Sequence, residues 1–304
     1  MPAAATPHAP DRILTGVGLM LAFCFLAPLL DVSAKLASPD IPTGQIVAAR
    51  FVVQGALMLP VMAAMGLTWR LPRRLWGLVT LRAALLILST YCFVAAIAVM
   101  PVADALAIAF VEPFVLLILG YLLFGDKVGP RRIAACALGF GGALLVIQPS
   151  LAAFGLVALY PLGTAFAFAF YMLVTRSMRA MHPVTMQAQT SLAGTALCLP
   201  ILAMASVWHI PTISPVMPQG LAWLWLAGVG FWAALSHLCM TYALRYAPSA
   251  TLAPLHYLEI VAAVALGYWI FGDFPNPLTW AGIAVIMASG LYIVHRERLA
   301  AHRT

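Results

Sequence analysis

The chain has 304 residues, of which 64% are hydrophobic and only 8% charged, with a formal net charge of +7. Soluble domains carry about 25% charged residues, so a water-soluble fold is excluded and a polytopic membrane protein is implied. The basic excess does not indicate nucleic acid, because it lies beside apolar segments, where it sets orientation across a bilayer.

Residues 1–12, MPAAATPHAPDR, are rich in Ala and Pro and read as a disordered N-terminal tail. A helical crossing takes ~20 mostly apolar residues. Ten such stretches are predicted, at about 13–36, 44–66, 76–98, 102–124, 131–149, 153–175, 185–206, 220–244, 250–271 and 277–295. The first is too long for a signal-peptide core and is expected to remain as a span. The loops are short and marked by Pro, Gly and Arg, and residues 296–304 form a C-terminal tail. With the N-terminus inside, 14 of the 16 basic residues fall in cytoplasmic segments, Arg82 being counted with Arg70, Arg73 and Arg74. The exceptions are Lys35, at the outer end of span 1, and Arg50, inside span 2. That asymmetry predicts both termini in the cytoplasm. The five cysteines lie in apolar runs without metal-ligand spacing and read as small buried residues rather than a disulfide framework.

The fourth span carries VEPFVLLILGYLLFGD (111–126), and the ninth carries LEIVAAVALGYWIFGD (258–273). From Val99 and Tyr246 onward the two copies share 9 identities in 28 positions. Both keep a glutamate (Glu112, Glu259) and the tail Gly-Tyr-x-x-Phe-Gly-Asp. Span 4 runs inward and span 9 outward, so the expected fold is all-α, with ten transmembrane helices as two inverted five-helix repeats, 13–149 and 153–295. Such repeats recur in secondary transporters, which bind substrate near the midplane between the halves.

Several residues could serve such a site. Glu112 and Glu259 fall near mid-membrane, where an ionised carboxylate is costly unless it is paired or faces a cavity. His256 stands one turn before Glu259, and His237, Thr241 and Arg245 form a stripe on span 8. Membrane histidines bind substrate, carry protons or bond a neighbouring helix. Arg50, four residues before Gln54, needs a substrate anion or an internal acid such as Asp31, Asp104 or Glu112. Asp31 and Lys35, four apart, read as a pair at the outer rim. Thr164 and Tyr171 on span 6, and Ser89, Thr90 and Tyr91 on span 3, read first as helix contacts and second as ligand contacts. Tyr91, Phe110, Trp232 and Tyr257 could stack on a planar ligand or simply pack. Pro113, directly after Glu112, should bend span 4 beside the acid. No metal-ligand cluster or Walker motif is present, and no cofactor is implied.

With these features the chain resembles the EamA-type family of the drug/metabolite transporter superfamily. The resemblance rests on residues 111–146, on ATLAPLHYLEIVAAVALGYWIFGDFPNPLTWAGIAVIMASGLY (250–292), on DVSAKL (31–36) and on AARF (48–51). It is similar to the branch that includes riboflavin permeases and S-adenosylmethionine uptake carriers. The resemblance implies a central cavity lined by the first four spans of each half, with the fifth span of each to one side. It implies a permease in a plasma or inner membrane, contacting lipid and a small organic substrate, riboflavin for preference. S-adenosylmethionine uptake, or export of amino acids, metallophores or drugs, is the alternative. Proton coupling through Glu259 or Glu112, exchange and facilitated diffusion all fit, as do a monomer and a homodimer. Two other classes, an intramembrane enzyme using His237 or His256 as base and a non-transporting sensor, have less in the sequence behind them.

Overall fold

The structure is a computed structural model that describes residues 13–124, 130–178, 180–246, 255 and 258–301. Backbone N–H and C=O groups in a bilayer must be satisfied within the protein, which favours helices for long apolar segments. The secondary structure of the described residues is helical, with turns and short irregular links and no strand among them. In chain order the helices are α1 (Ile13–Ala37), α2 (Thr43–Ala64), α3 (Arg73–Ile97), α4 (Val102–Ala109), α5 (Glu112–Phe124), α6 (Pro130–Phe154), α7 (Tyr160–Ser177), α8 (Pro183–Trp208), α9 (Ala222–Tyr246), α10 (Leu258–Phe271) and α11 (Pro277–Ala301). A 3-10 turn, Gly155–Leu159, joins α6 to α7.

Prolines set many of the starts. Pro42, Pro72 and Pro101 cap α2, α3 and α4, and Pro130, Pro183 and Pro277 open α6, α8 and α11. A helix start has no use for the N–H that proline lacks. The same deficit divides α4 from α5. Pro113 leaves the Ala109 carbonyl without its usual donor. The backbone turns at Phe110 and Val111, where the Val111 N–H bonds the Ile108 carbonyl at 3.2 Å in a tighter three-residue step. The bend therefore falls beside Glu112, as the position of Pro113 predicts.

Among the described residues seven stretches are long and apolar enough to cross a membrane: Leu14–Ala37, Thr43–Ala64, Arg73–Ile97, Val102–Leu123, Ala137–Thr175, Pro183–Trp208 and Ala222–Ala243. Val102–Leu123 takes in both α4 and α5, and Ala137–Thr175 takes in parts of both α6 and α7. Two shorter apolar helices, Leu258–Phe271 and Pro277–Ser289, follow. Large apolar side chains stand exposed along the outside, among them Phe25, Leu122, Leu138 and Trp269. An apolar exterior of that extent matches lipid rather than water.

Inside, α1 lies along α9 and α3 along α7. Helix α2 meets α8 and α9, while α8 also meets α3; α5 meets α7, and α1 meets α10. Helices α6 and α11 pack on each other, and α4 touches α10. Exchanging α1–α6 for α7–α11 in order, with α4 and α5 together answering to α10, maps these principal contacts onto themselves. In the α6–α11 contact the two backbones come close. A Cβ on Gly282 would stand 2.6 Å from the Gly142 carbonyl oxygen, and one on Gly142 would stand 3.0 Å from that of Gly282. Only small residues let two backbones approach so closely.

Candidate functional site

A central cavity with about 830 Å3 of empty space, part of it open to the surroundings, lies between the helices. Helix α1 contributes Phe23 and Asp31, α2 Arg50, and α3 Ser89, Thr90 and Phe93. The α4–α5 bend contributes Phe110 and Glu112, α7 Thr164 and Phe168, α9 Ser236 and His237, and α10 Glu259. Among the described residues α6 and α11 do not line it, as the resemblance implies for the fifth span of each half, but α8, one of the spans expected on the wall, does not line it either.

The cavity is an apolar enclosure with a few convergent polar groups, the usual make-up of a small-molecule site. Its charged and polar members are buried: Arg50 is 5% exposed, His237 7%, Asp31 7%, Glu112 8% and Glu259 6%. Arg50 donates from Nη1 to the Thr90 hydroxyl, and from Nη2 to His237 Nε2 at 2.7 Å. Among the described residues no carboxylate lies within ion-pairing distance of Arg50. The expected acid partner is thus replaced by a hydroxyl and an imidazole. Asp31 interacts electrostatically with both Glu259 and Arg50 across the cavity. Thr164 and Ser89 bond each other's backbone, Thr164 Oγ1 to the Ser89 carbonyl at 3.2 Å and Ser89 Oγ to that of Thr164 at 3.5 Å, tying α7 to α3 on the wall.

Eight of the residues anticipated from sequence therefore line one space: Arg50, Ser89, Thr90, Phe110, Glu112, Thr164, His237 and Glu259. Others lie elsewhere. Gln54 is fully buried and donates to Gln187 Oε1 at 3.2 Å; Gln187 in turn donates to the His237 carbonyl and to Thr241. Tyr171 is fully buried and bonded to Arg82, and Tyr91 packs against the apolar cluster around Phe51 and Leu86. His256 and Tyr257 fall outside the described residues.

Two charges sit differently from the sequence expectation. Arg82 is not a cytoplasmic flanking charge but a buried residue within α3, 1% exposed. Its guanidinium donates from Nε to Thr175 at 2.9 Å, from Nη1 to Thr190 and from Nη2 to the Tyr171 hydroxyl at 2.5 Å, with the Tyr171 ring 4.5 Å away. Thr175 and Thr190 spend their own protons on carbonyls one turn back, so their oxygens are free to accept from Arg82. The signal was in the spacing: Arg82 lies deeper in its span than a snorkelling flank residue does. Likewise Lys35 pairs with Asp273, not Asp31, and Asp31 turns to the cavity instead. Asp104, considered as a partner for Arg50, interacts electrostatically with Asp273 and Lys35 instead. Phe23, Phe93, Phe168 and Ser236 were not singled out at all, because nothing in an apolar run marks a phenylalanine or serine that faces a cavity.

A multi-pass helical bundle closed around one buried, polar-centred cavity is the architecture of a membrane transporter. The chain belongs to the EamA-like transporter family, whose model matches residues 14–148 and again 155–295. It is 30% identical over 243 residues to a riboflavin transporter of Rhizobium johnstonii, covering 79% of this chain and 76% of that protein. It is 24% identical to an S-adenosylmethionine uptake transporter of Rickettsia bellii, over 94% of this chain and 95% of that one. A solved crystal structure matches with a TM-score of 0.65 at 18% identity, covering 94% of this chain and 98% of its own, which shows the shared fold. The protein is accordingly a permease for a small metabolite.

Proposed function

We propose that the protein carries riboflavin across a plasma or inner membrane by alternating access. The observation that carries the substrate is the ring-lined cavity. Phe23, Phe93, Phe110 and Phe168 surround a polar centre built on Arg50, Thr90 and His237. Aromatic rings favour a planar heterocycle by offset or edge contacts, and the polar centre suits a tricycle with carbonyl groups at one edge. The likeness to a protein named riboflavin transporter supports the same choice. The test is flavin fluorescence in proteoliposomes: riboflavin should accumulate inside vesicles bearing the protein, and uptake equal to empty vesicles overturns the assignment.

In this reading the chain crosses the bilayer ten times, as two inverted five-span repeats with both termini cytoplasmic. The self-mapping helix contacts and the doubled family match support that arrangement. The lipid contacts would come from the exposed apolar exterior, and a homodimer would have to draw its interface from the same surface. No enzymatic step is required of these residues. A second reading, S-adenosylmethionine uptake, is favoured by Asp31, Glu112 and Glu259, three carboxylates on one cavity that suit a sulfonium cation. Competition between the two compounds for uptake separates the readings.

A further inference from the structure

Sequence spacing offers Asp31 two cations, Lys35 and Arg50, and the structure commits both elsewhere. Lys35 donates to the Met100 carbonyl and to Asp273. Arg50 donates to Thr90 and to His237. Among the described residues Asp31 meets Glu259 and Arg50 only through their charges, and no donor bonds its carboxylate. The side chain is nevertheless 7% exposed and stands on the cavity wall. Its oxygens are not sealed inside the protein. Asp104 Oδ1 is shut off without a partner, whereas neither oxygen of Asp31 is. Both are therefore reached from the cavity.

A buried carboxylate without donors is costly, so the donors come from what enters the cavity. Charge and number say which donors fit. Arg50 already offsets the charge of Asp31 without bonding it. The acid thus calls for neutral hydrogen-bond donors rather than a second cation, which Arg50 would repel. A carboxylate has two acceptor oxygens and takes two donors at once. Adjacent hydroxyls of a sugar or sugar alcohol present two O–H groups side by side, and an acid holds a ribose hydroxyl in dinucleotide sites for the same reason. Phe23, Ala27 and Asp31, four apart on α1, all line the cavity. That stripe sets an aromatic ring and an acid roughly 12 Å apart along the helix, with a small residue between them, as a planar head and a hydroxylated tail require. We propose that Asp31 is a specificity-determining residue whose carboxylate accepts from two adjacent hydroxyls on the sugar-derived part of the substrate. This rests on the permease reading and names the end of the substrate that α1 recognises. Riboflavin offers its ribityl chain and S-adenosylmethionine its ribose, so the role of Asp31 holds for either. A site built to bond a hydroxyl rejects the analogue lacking it far more strongly than an apolar pocket does.

The test measures binding to purified full-length protein with two pairs of probes. Riboflavin and lumiflavin share the tricycle and differ by the ribityl hydroxyls. S-adenosylmethionine is paired with an analogue lacking both ribose hydroxyls. Wild type, Asp31→Ala and Asp31→Asn are compared. Wild type should bind the hydroxylated member of one pair about tenfold more tightly. Asp31→Ala should abolish that preference by weakening the hydroxylated probe alone. Asp31→Asn, which keeps one uncharged acceptor, should retain part of it. Unchanged affinity for the probe without hydroxyls shows that each variant is folded. A preference confined to the sulfonium pair keeps the role of Asp31 and overturns riboflavin as the substrate. A wild type that distinguishes neither pair, or a preference that survives in Asp31→Ala, overturns the proposal. So does an Asp31→Ala variant that loses affinity equally for both sulfonium probes, because the acid then serves the cation and not the hydroxyls.

Discussion

Lys35, at the end of α1, donates to Asp273 Oδ2 at 2.7 Å, joining residues 238 positions apart. The same ammonium bonds the Met100 carbonyl at 3.1 Å and sits 4.7 Å from the centre of the Phe271 ring. One cation therefore ties α1, the α3–α4 connection and the end of α10 together. Its acid is the last residue of the repeated Gly-Tyr-x-x-Phe-Gly-Asp. The pair is partly exposed, with side-chain exposures of 15% and 29%, so its worth is modest. Lys35→Gln and Asp273→Asn should each cost about 0.5–1 kcal/mol. The double variant should cost less than the sum, because the two act through one contact. Thermal unfolding of the four proteins in detergent checks this; strictly additive losses would show that the pair contributes nothing.

Arg82 ties α3 to α7 and α8 by three hydrogen bonds from a fully buried cation. Removing a buried cation also leaves its former acceptors without a donor. Arg82→Met is expected to destabilise the protein by about 3 kcal/mol, roughly 1 kcal/mol for each buried acceptor left without its donor, and Tyr171→Phe, which removes one acceptor, by about 1 kcal/mol. The measurement is the thermal midpoint of purified variants, with riboflavin binding as the second readout. Neither side chain lines the cavity, so the affinity of the protein that remains folded should change little.

The sequence carried the architecture further than the site. The repeat about Glu112 and Glu259 and the kink at Pro113 are chemical demands of the fold or the backbone, and each leaves a local mark in the chain. Arg82 shows the limit of a different mark, loop charge: the orientation count takes a basic residue in the same way whether it flanks a span or, like Arg82, lies buried within it. Lys35 shows another. Helical spacing pointed to Asp31, four residues away, while the real partner is 238 residues distant and set only by tertiary packing. Phe23, Phe93 and Phe168 were illegible for a third reason. In an apolar span a phenylalanine looks the same facing lipid, core or cavity, whereas Arg50 and His237 stand out because burying them requires a cause.

Gly142 and Gly282 bring α6 and α11 into backbone contact away from the cavity. Gly282→Val would place a branched side chain where even a Cβ lies 2.5 Å from a Val146 methyl and 2.6 Å from the Gly142 carbonyl. The helices must part to admit it, at a cost of about 1–3 kcal/mol. Because neither helix lines the cavity, the variant should unfold at a lower temperature while keeping its substrate affinity. A fall in affinity without a fall in thermal midpoint would mean that α6 and α11 shape the binding site directly.

Glu259 and Glu112 begin α10 and α5 and face the same cavity from the two halves of the chain. The first-half acid stands beside the Pro113 break, so a change in its hydrogen bonding acts where span 4 already departs from helical geometry. If either carboxylate carries a proton through the transport cycle, replacing it by its uncharged isostere should slow uptake and remove its dependence on pH. Glu259→Gln is expected to lower riboflavin uptake about tenfold, the effect of losing a charge-assisted hydrogen bond, and to leave the remaining uptake independent of pH. Glu112→Gln, examined beside it, separates the two acids: the one that couples transport flattens the profile, while the other changes only the rate. Uptake that matches wild type at every pH in both variants would exclude the carboxylates from the cycle and leave facilitated diffusion or exchange as the mode of transport.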